Sequence, residues 1–162
     1  MVSVLRCGHL APDFSLQTGS GEWVSLSQLS GKRIILYFYP KDDTPGCTKE
    51  ACDFQSAASQ FTKASGVVLG VSGDSVASHE RFAKKYGLRF PLLSDSDFAV
   101  SKAYGVYKQK SLYGRTYWGI ERTTFVIDEK GKIAAIFPKV KVEGHASAVL
   151  DAVIQAGSLV SH

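Results

Sequence analysis

The 162-residue chain has three cysteines, one methionine and two tryptophans, and no run of apolar residues long enough to cross a membrane. A span needs about 18 to 20 consecutive apolar residues. Three cysteines is an odd and small number for a chain of this length, which excludes a disulfide-stapled scaffold and predicts a reducing, cytoplasmic home. The start, "MVSVLRCGHLAPDFSL", contains no apolar stretch of signal-peptide type and no small-residue cleavage site, so no export leader is expected. Cys7 follows Arg6 after a short apolar lead, which argues against a lipid-anchor reading. A dense patch of one charge is missing too. The formal charge is +4, and the basic residues are scattered. Their tightest grouping, "KQKSLYGR" (108–115), reads as a solvated loop rather than a nucleic-acid surface. Repeats, low-complexity tracts and Pro/Gly-rich linkers are also absent, which predicts one domain over residues 1–162.

What is present is the composition of a globular protein, with 44% hydrophobic and 21% charged residues. "FSLQTGSGEWVSL" reads as two short strands around a Gly-Ser-Gly turn. "RIILYFY" (33–39) and "GVVLGVS" (66–72) are apolar on both faces, as central buried strands are. Between them Cys47, Ala51, Phe54, Ala58 and Phe61 recur at helical intervals. "SVASHERFAKKYG" (75–87) is a helix with Ser75 as its cap and Gly87 as its stop. A short helix is expected near 97–105, and a hairpin over 123–137 turned at Glu129-Lys130-Gly131. The last helix carries an Ala146, Val149, Leu150, Val153, Ile154 stripe. Strand-helix-strand-helix, then hairpin and helix, predicts a mixed central sheet flanked by helices on both faces. That is an α/β, thioredoxin-like arrangement with an added N-terminal β-hairpin.

The chemistry concentrates in "PKDDTPGCTKEAC" (40–52), directly after the 33–39 strand. A helix beginning there places Cys47 in its first turn, beside unpaired backbone N–H groups and the positive end of the helix dipole. A free thiol with an ordinary pKa of about 8.5 is only a few per cent thiolate at pH 7. The helix terminus contributes about 1 kcal/mol toward changing that, so a nucleophilic cysteine at this place requires a cation brought in from elsewhere. Pro40 and Pro45 stiffen the turn. Thr44 has two readings: an N-cap, or a hydroxyl three residues before the sulfur that can bond a bound oxygen.

Pro40-x-x-x-Thr44-x-x-Cys47 resembles the peroxiredoxin active-site signature, and "PKDDTPGCTKEACDF" resembles the branch named for bacterioferritin comigratory protein, or peroxiredoxin Q. "APDFSL" (11–16), "GVSGDS" (70–75), "FAKKYGLRFPLLSD" (82–95) and "ERTTFVIDEKGKI" (121–133) resemble the same branch in the same order. The resemblance implies a thiol peroxidase. The Cys47 thiolate would attack a hydroperoxide and become a sulfenic acid. Arg122 would supply the cation, and Thr44 and backbone N–H groups would stabilise the leaving oxygen. Cys52 would be the resolving thiol. A related subgroup carries that thiol in the helix matching residues 75–86, where "SVASHERFAKKY" has none. A thioredoxin-like dithiol protein would reduce the resulting disulfide, no cofactor or metal would be needed, and the protein would be a monomer. Cys7 falls outside every motif. His79 resembles a residue common at its place, though a solvated histidine on a helix face explains it equally well.

Three rivals compete with that reading. A disulfide reductase needs two residues between its cysteines, and "CTKEAC" has four. A copper-delivery module would call on His145 and leave the Pro-Thr-Cys pattern unexplained. A peroxide sensor would use the same site residues. A geometric consequence also follows for Cys47 and Cys52. A five-residue step along a helix rises about 7.5 Å and turns about 140°, whereas a disulfide needs Cα atoms within about 6.8 Å. Bond formation therefore predicts unwinding of residues 46–53.

Overall fold

The computed structural model describes residues 5–160, and side chains as far as residue 156. Nine strands and five α-helices follow one another as β1 (Ser15–Thr18), β2 (Trp23–Ser25), a 3-10 turn (Ser27–Leu29), β3 (Arg33–Phe38), α1 (Pro45–Ser56), α2 (Ala58–Lys63), β4 (Gly66–Ser72), α3 (Val76–Tyr86), β5 (Leu92–Ser94), α4 (Ala99–Ala103), β6 (Tyr107–Leu112), β7 (Arg115–Ile120), β8 (Thr123–Ile127), β9 (Ile133–Phe137) and α5 (His145–Val160). Seven strands form one mixed sheet in the order β2-β1-β5-β4-β3-β8-β9. β3, β4 and β5 run parallel, and β1, β2, β8 and β9 pair antiparallel to their neighbours.

β3 lies inside this sheet, between β4 and β8, which explains its unbroken apolar run. Ile35, Tyr37 and Tyr39 enter one core with Phe54 of α1, Phe82 of α3 and Val149 and Val153 of α5. Ile34, Leu36 and Phe38 enter the other, with Phe14, Tyr104 and Phe125. A strand buried on both faces shows no polar alternation. The helical cover is unequal: α1, α3 and α5 supply the first core, while the second is closed by the N-terminal segment, the 3-10 turn, α4 and the start of β6. Ser75 caps α3 through its hydroxyl, which accepts the Ser78 N–H at 3.1 Å, and Gly87 ends it with φ +65.

Three sequence expectations need correction. The helical stretch after β3 is two helices, α1 and α2, interrupted at Ala57, and Ala58 is only half-buried. Ile154 is 49% exposed, so it does not belong to the buried stripe of α5, which runs through Ala146, Val149 and Val153 to Ala156. Residues 108–115 are not a loop. They form most of a hairpin in which β6 pairs with β7 around Tyr113-Gly114, both at positive φ (52° and 76°), as a two-residue turn matched to strand twist demands. That hairpin buries no continuous face, so its sequence carries no apolar alternation. Its anchor is aromatic: Trp118 stacks on Tyr107 at 5.7 Å, and Tyr107 stacks on Phe98 at 4.5 Å.

Candidate active site

The six-residue turn 39–44 carries the chain from β3 to α1. Proline at the first position of α1 costs no hydrogen bond there, because that N–H would be unpaired in any case. Pro40 is exposed where β3 ends. Thr44 occupies the N-cap position, with φ −101° and ψ 155°, but its hydroxyl makes no cap bond and instead donates to the Lys41 carbonyl at 2.9 Å. The capping reading of Thr44 therefore holds for its backbone and not for its side chain. The N–H groups of the first turn are left without the Thr44 oxygen as partner.

Cys47, in that first turn, is 2% exposed. Its sulfur accepts a hydrogen bond from Arg122 Nη2 at 3.3 Å. Arg122 precedes β8, 75 residues away along the chain, so the cation required beside the thiol does come from elsewhere. Gly46 makes the approach possible: a Cβ there would sit 3.2 Å from Arg122 Nη2. The other arm of the guanidinium, Nη1, donates to Glu50 Oε1 at 2.7 Å. One planar fork thus links two groups a single turn apart on α1, a geometry that lysine cannot copy. Burial alone would lower the basicity of Arg122, but Glu50 and the Cys47 sulfur outweigh it and raise its pKa.

Glu50 is a residue that sequence reasoning missed. It is 1% exposed, and its second oxygen, Oε2, has no hydrogen-bond partner. Burial pushes its carboxyl up to about 7, against the opposing pull of Arg122. His145, the first residue of α5, lies 3.9 Å from that oxygen, with Nε2 2.7 Å from the Thr124 hydroxyl. Its ring meets Phe54 and Phe137 edge to face. Burial, then the positive field of Arg122, lowers its pKa to about 4, so the ring is neutral at pH 7. With Nε2 bound to Thr124, His145 is a core residue beside Glu50. Lys110 of β6 was also missed. Burial and repulsion from Arg122 lower its pKa, and its ammonium group donates to the Ile120 carbonyl.

The structure brings Cys47 and Arg122 together, with Thr44 three residues ahead of the sulfur on the turn. Cys52 lies half-buried farther along α1, and both thiols are free. Because both belong to one intact helix, five residues apart, they cannot bond without unwinding it. Cys7 is exposed in the N-terminal segment. The solvated reading of His79 is wrong: its side chain is 0% exposed, with Nδ1 2.7 Å from Asp42 Oδ2 and Nε2 3.0 Å from the Leu93 carbonyl. Among the described residues no cluster of three or more His, Cys, Asp or Glu side chains could hold a metal ion, and no helix is long and apolar enough to cross a membrane.

A buried thiol in the first turn of a helix, with a guanidinium fixed beside it, suits a substrate that accepts electrons from sulfur and releases an anionic oxygen. Comparison with known proteins agrees. Residues 7–136 match the model of the AhpC/TSA family. A putative peroxiredoxin bcp from Coxiella burnetii is 57% identical over 146 residues, covering 90% of this chain and 97% of that protein. Peroxiredoxin Bcp of Bacillus subtilis is 45% identical, covering 90% and 93%. The solved structure of a Xanthomonas campestris bacterioferritin comigratory protein superposes with a TM-score of 0.88 at 42% identity, covering 96% of this chain and 99% of that one.

Proposed function

The chain belongs to the AhpC/TSA family, among the Bcp peroxiredoxins, and from that premise we propose that it reduces hydroperoxides at Cys47 and recycles through Cys52. The observation that carries the proposal is the 3.3 Å bond from Arg122 Nη2 to the Cys47 sulfur at the start of α1. The Cys47 thiolate attacks the terminal oxygen of the hydroperoxide. The O–O bond breaks, the leaving oxygen takes its electron pair and a proton, and water or an alcohol departs. Cys47 is left as a sulfenic acid. Charge accumulates on the leaving oxygen in the transition state, where Arg122 and the first-turn N–H groups can stabilise it, and the Thr44 hydroxyl can join them by turning its proton away from the Lys41 carbonyl. Sulfur itself changes oxidation state, so the reaction balances without metal, haem or flavin.

Cys52 then condenses with the sulfenic acid, releasing water and closing an intramolecular disulfide. That step requires residues 46–53 to unwind. A helix end has few intrahelical bonds to lose, so local opening of this kind is accessible. Thioredoxin, or a similar dithiol protein, reduces the bond and α1 rewinds. Organic hydroperoxides belong among the substrates, because the Xanthomonas campestris relative is described for its alkyl peroxide reduction activity. The need for a dithiol donor fits a reducing cytoplasm, and a monomer suffices because both thiols lie on one chain. The copper-delivery and disulfide-reductase readings gain nothing from the relatives.

The test is a coupled assay: reduced protein, hydroperoxide, thioredoxin, thioredoxin reductase and NADPH, with NADPH loss followed by absorbance. Sustained turnover that disappears in Cys47→Ser is the expected result. A single stoichiometric oxidation without turnover would favour a sensor, and no peroxide-dependent oxidation would overturn the assignment.

A further inference from the structure

The turn that carries Pro40 and Thr44 is held far more tightly than an exposed connection of six residues needs to be. Asp42 accepts three side-chain hydrogen bonds: from Tyr39 Oη to Oδ1 at 2.6 Å, and from the Ser78 hydroxyl and His79 Nδ1 to Oδ2 at 2.8 and 2.7 Å. The side chains of Asp42 and His79 are 4% and 0% exposed. His79 Nε2 faces the Leu93 carbonyl at 3.0 Å, which ties the pair to β5. Both ring nitrogens therefore face oxygen atoms of other elements. The Asp42 N–H donates to Asp74 Oδ2 at 2.8 Å, and Asp74 in turn accepts from the Ser72 hydroxyl at the end of β4. The next residue, Asp43, sits at φ +57° and is gripped at the far end of α3 by Lys85 Nζ at 2.8 Å and Tyr86 Oη at 2.6 Å. None of these side chains is bonded to Cys47 or Arg122.

Buried ion pairs are a poor way to gain stability, since well-packed apolar side chains do as well or better. What such a pair supplies is a single geometry: a buried carboxylate with three donors has one low-energy position. Here that position is two residues before the N-cap of α1. The first turn of α1 is the segment that activates Cys47 when wound, and that must unwind to bring Cys47 to Cys52. We propose that the Asp42–His79 pair is a positioning latch: by fixing residues 40–44 against α3 it favours the wound form of α1, raising the rate of the peroxide step and slowing disulfide closure. The latch rests on the reaction assigned to Cys47 and Cys52 above.

A latch and a merely structural network differ in how the two chemical steps respond. A loss of stability elsewhere moves neither step at temperatures well below Tm. Loosening the latch moves them in opposite directions. Rapid-quench mass spectrometry of the reduced protein mixed with hydrogen peroxide reads both rates, as loss of the Cys47 thiol and as formation of the Cys47–Cys52 disulfide. Asp42→Asn and His79→Gln should each slow the first about tenfold and speed the second several-fold, the scale of losing one hydrogen bond to a charged group. The double variant should be no worse than either single one, because both remove the same interaction. Leu26→Ala, in the core on the opposite face of the sheet, supplies a variant with comparable Tm loss and unchanged rates. If Asp42→Asn does not fold, Tyr39→Phe removes the hydroxyl that bonds Oδ1 and lies 3.5 Å from His79 Nδ1, and should show the same split at smaller amplitude. Unchanged rates in every latch variant, or shifts of both steps in one direction, overturn the latch while leaving the peroxidase assignment intact. A wild-type protein that forms neither product overturns both.

Discussion

Glu50 and His145 should hide one another's titration, and removing either should expose it. In the folded protein Glu50 keeps its proton to about pH 7, whereas the unfolded chain releases it near 4.5. Between those values the folded state binds one more proton, so Glu50 lowers stability as pH rises, by about 1.4 kcal/mol per unit. His145 acts in the opposite sense. Its folded pKa of about 4 lies below the ordinary 6.5, so the unfolded state binds the extra proton and stability falls as pH drops through that interval. Each shift amounts to about 3 kcal/mol in total. Over pH 4.5–6.5 the two slopes nearly cancel. Glu50→Gln copies the protonated acid and removes the first slope, so its stability relative to wild type should rise by about 3 kcal/mol from pH 4.5 to 6.5. His145→Gln removes the second, and its relative stability should fall by the same amount. Urea unfolding of the reduced proteins at several pH values reads these differences directly. Parallel curves for the variants and wild type would refute the burial argument for both groups.

Four further outcomes are expected. Arg122→Lys keeps the charge but not the fork that joins the Cys47 sulfur to Glu50, so stopped-flow oxidation of Cys47 should slow at least tenfold. Gly46→Ala places a methyl group 3.2 Å from Arg122 Nη2; the displaced guanidinium should cost several-fold in the same rate, with little change in Tm. Cys52→Ser should oxidise once at a normal rate and then proceed to sulfinic acid under excess peroxide, a product that mass spectrometry identifies. Amide hydrogen exchange over residues 46–53 should accelerate strongly in the disulfide form relative to the reduced form; equal protection in both would mean that Cys52 is reached without unwinding α1.

Much of this fold is legible because its strongest signals are local. The 33–39 run is apolar on both faces because β3 lies inside the sheet between β4 and β8, and Ser75 and Gly87 bound α3 through their own local chemistry. The start of α1 and the need for a cation near Cys47 follow from one turn of sequence. The identity of that cation does not. Arg122 lies 75 residues away, and only the resemblance of "ERTTF" to a known family pointed to it. Glu50 and Lys110 were invisible for the same reason, and His145 drew notice only as a candidate copper ligand. A carboxylate on a helix or a histidine before one looks solvated until tertiary packing removes the water. One local signal was overlooked: Glu50 stands three residues after Cys47, on the same side of α1. His79 was misjudged because the charged residues Glu80 and Arg81 follow it directly on α3, while its ring turns inward to Asp42. The β6–β7 hairpin escaped notice because it shields no core and so leaves no apolar alternation.

The central claim is that Cys47, held against Arg122 at the start of α1, is where peroxide oxidises this protein first. Reduced protein mixed with one equivalent of hydrogen peroxide, trapped within milliseconds by a sulfenic-acid reagent and mapped by mass spectrometry, tests it most directly. The account requires the label on Cys47 before any disulfide appears, with Cys47→Ser left unlabelled. First labelling of Cys52 or Cys7, or undiminished oxidation of Cys47→Ser, would contradict it.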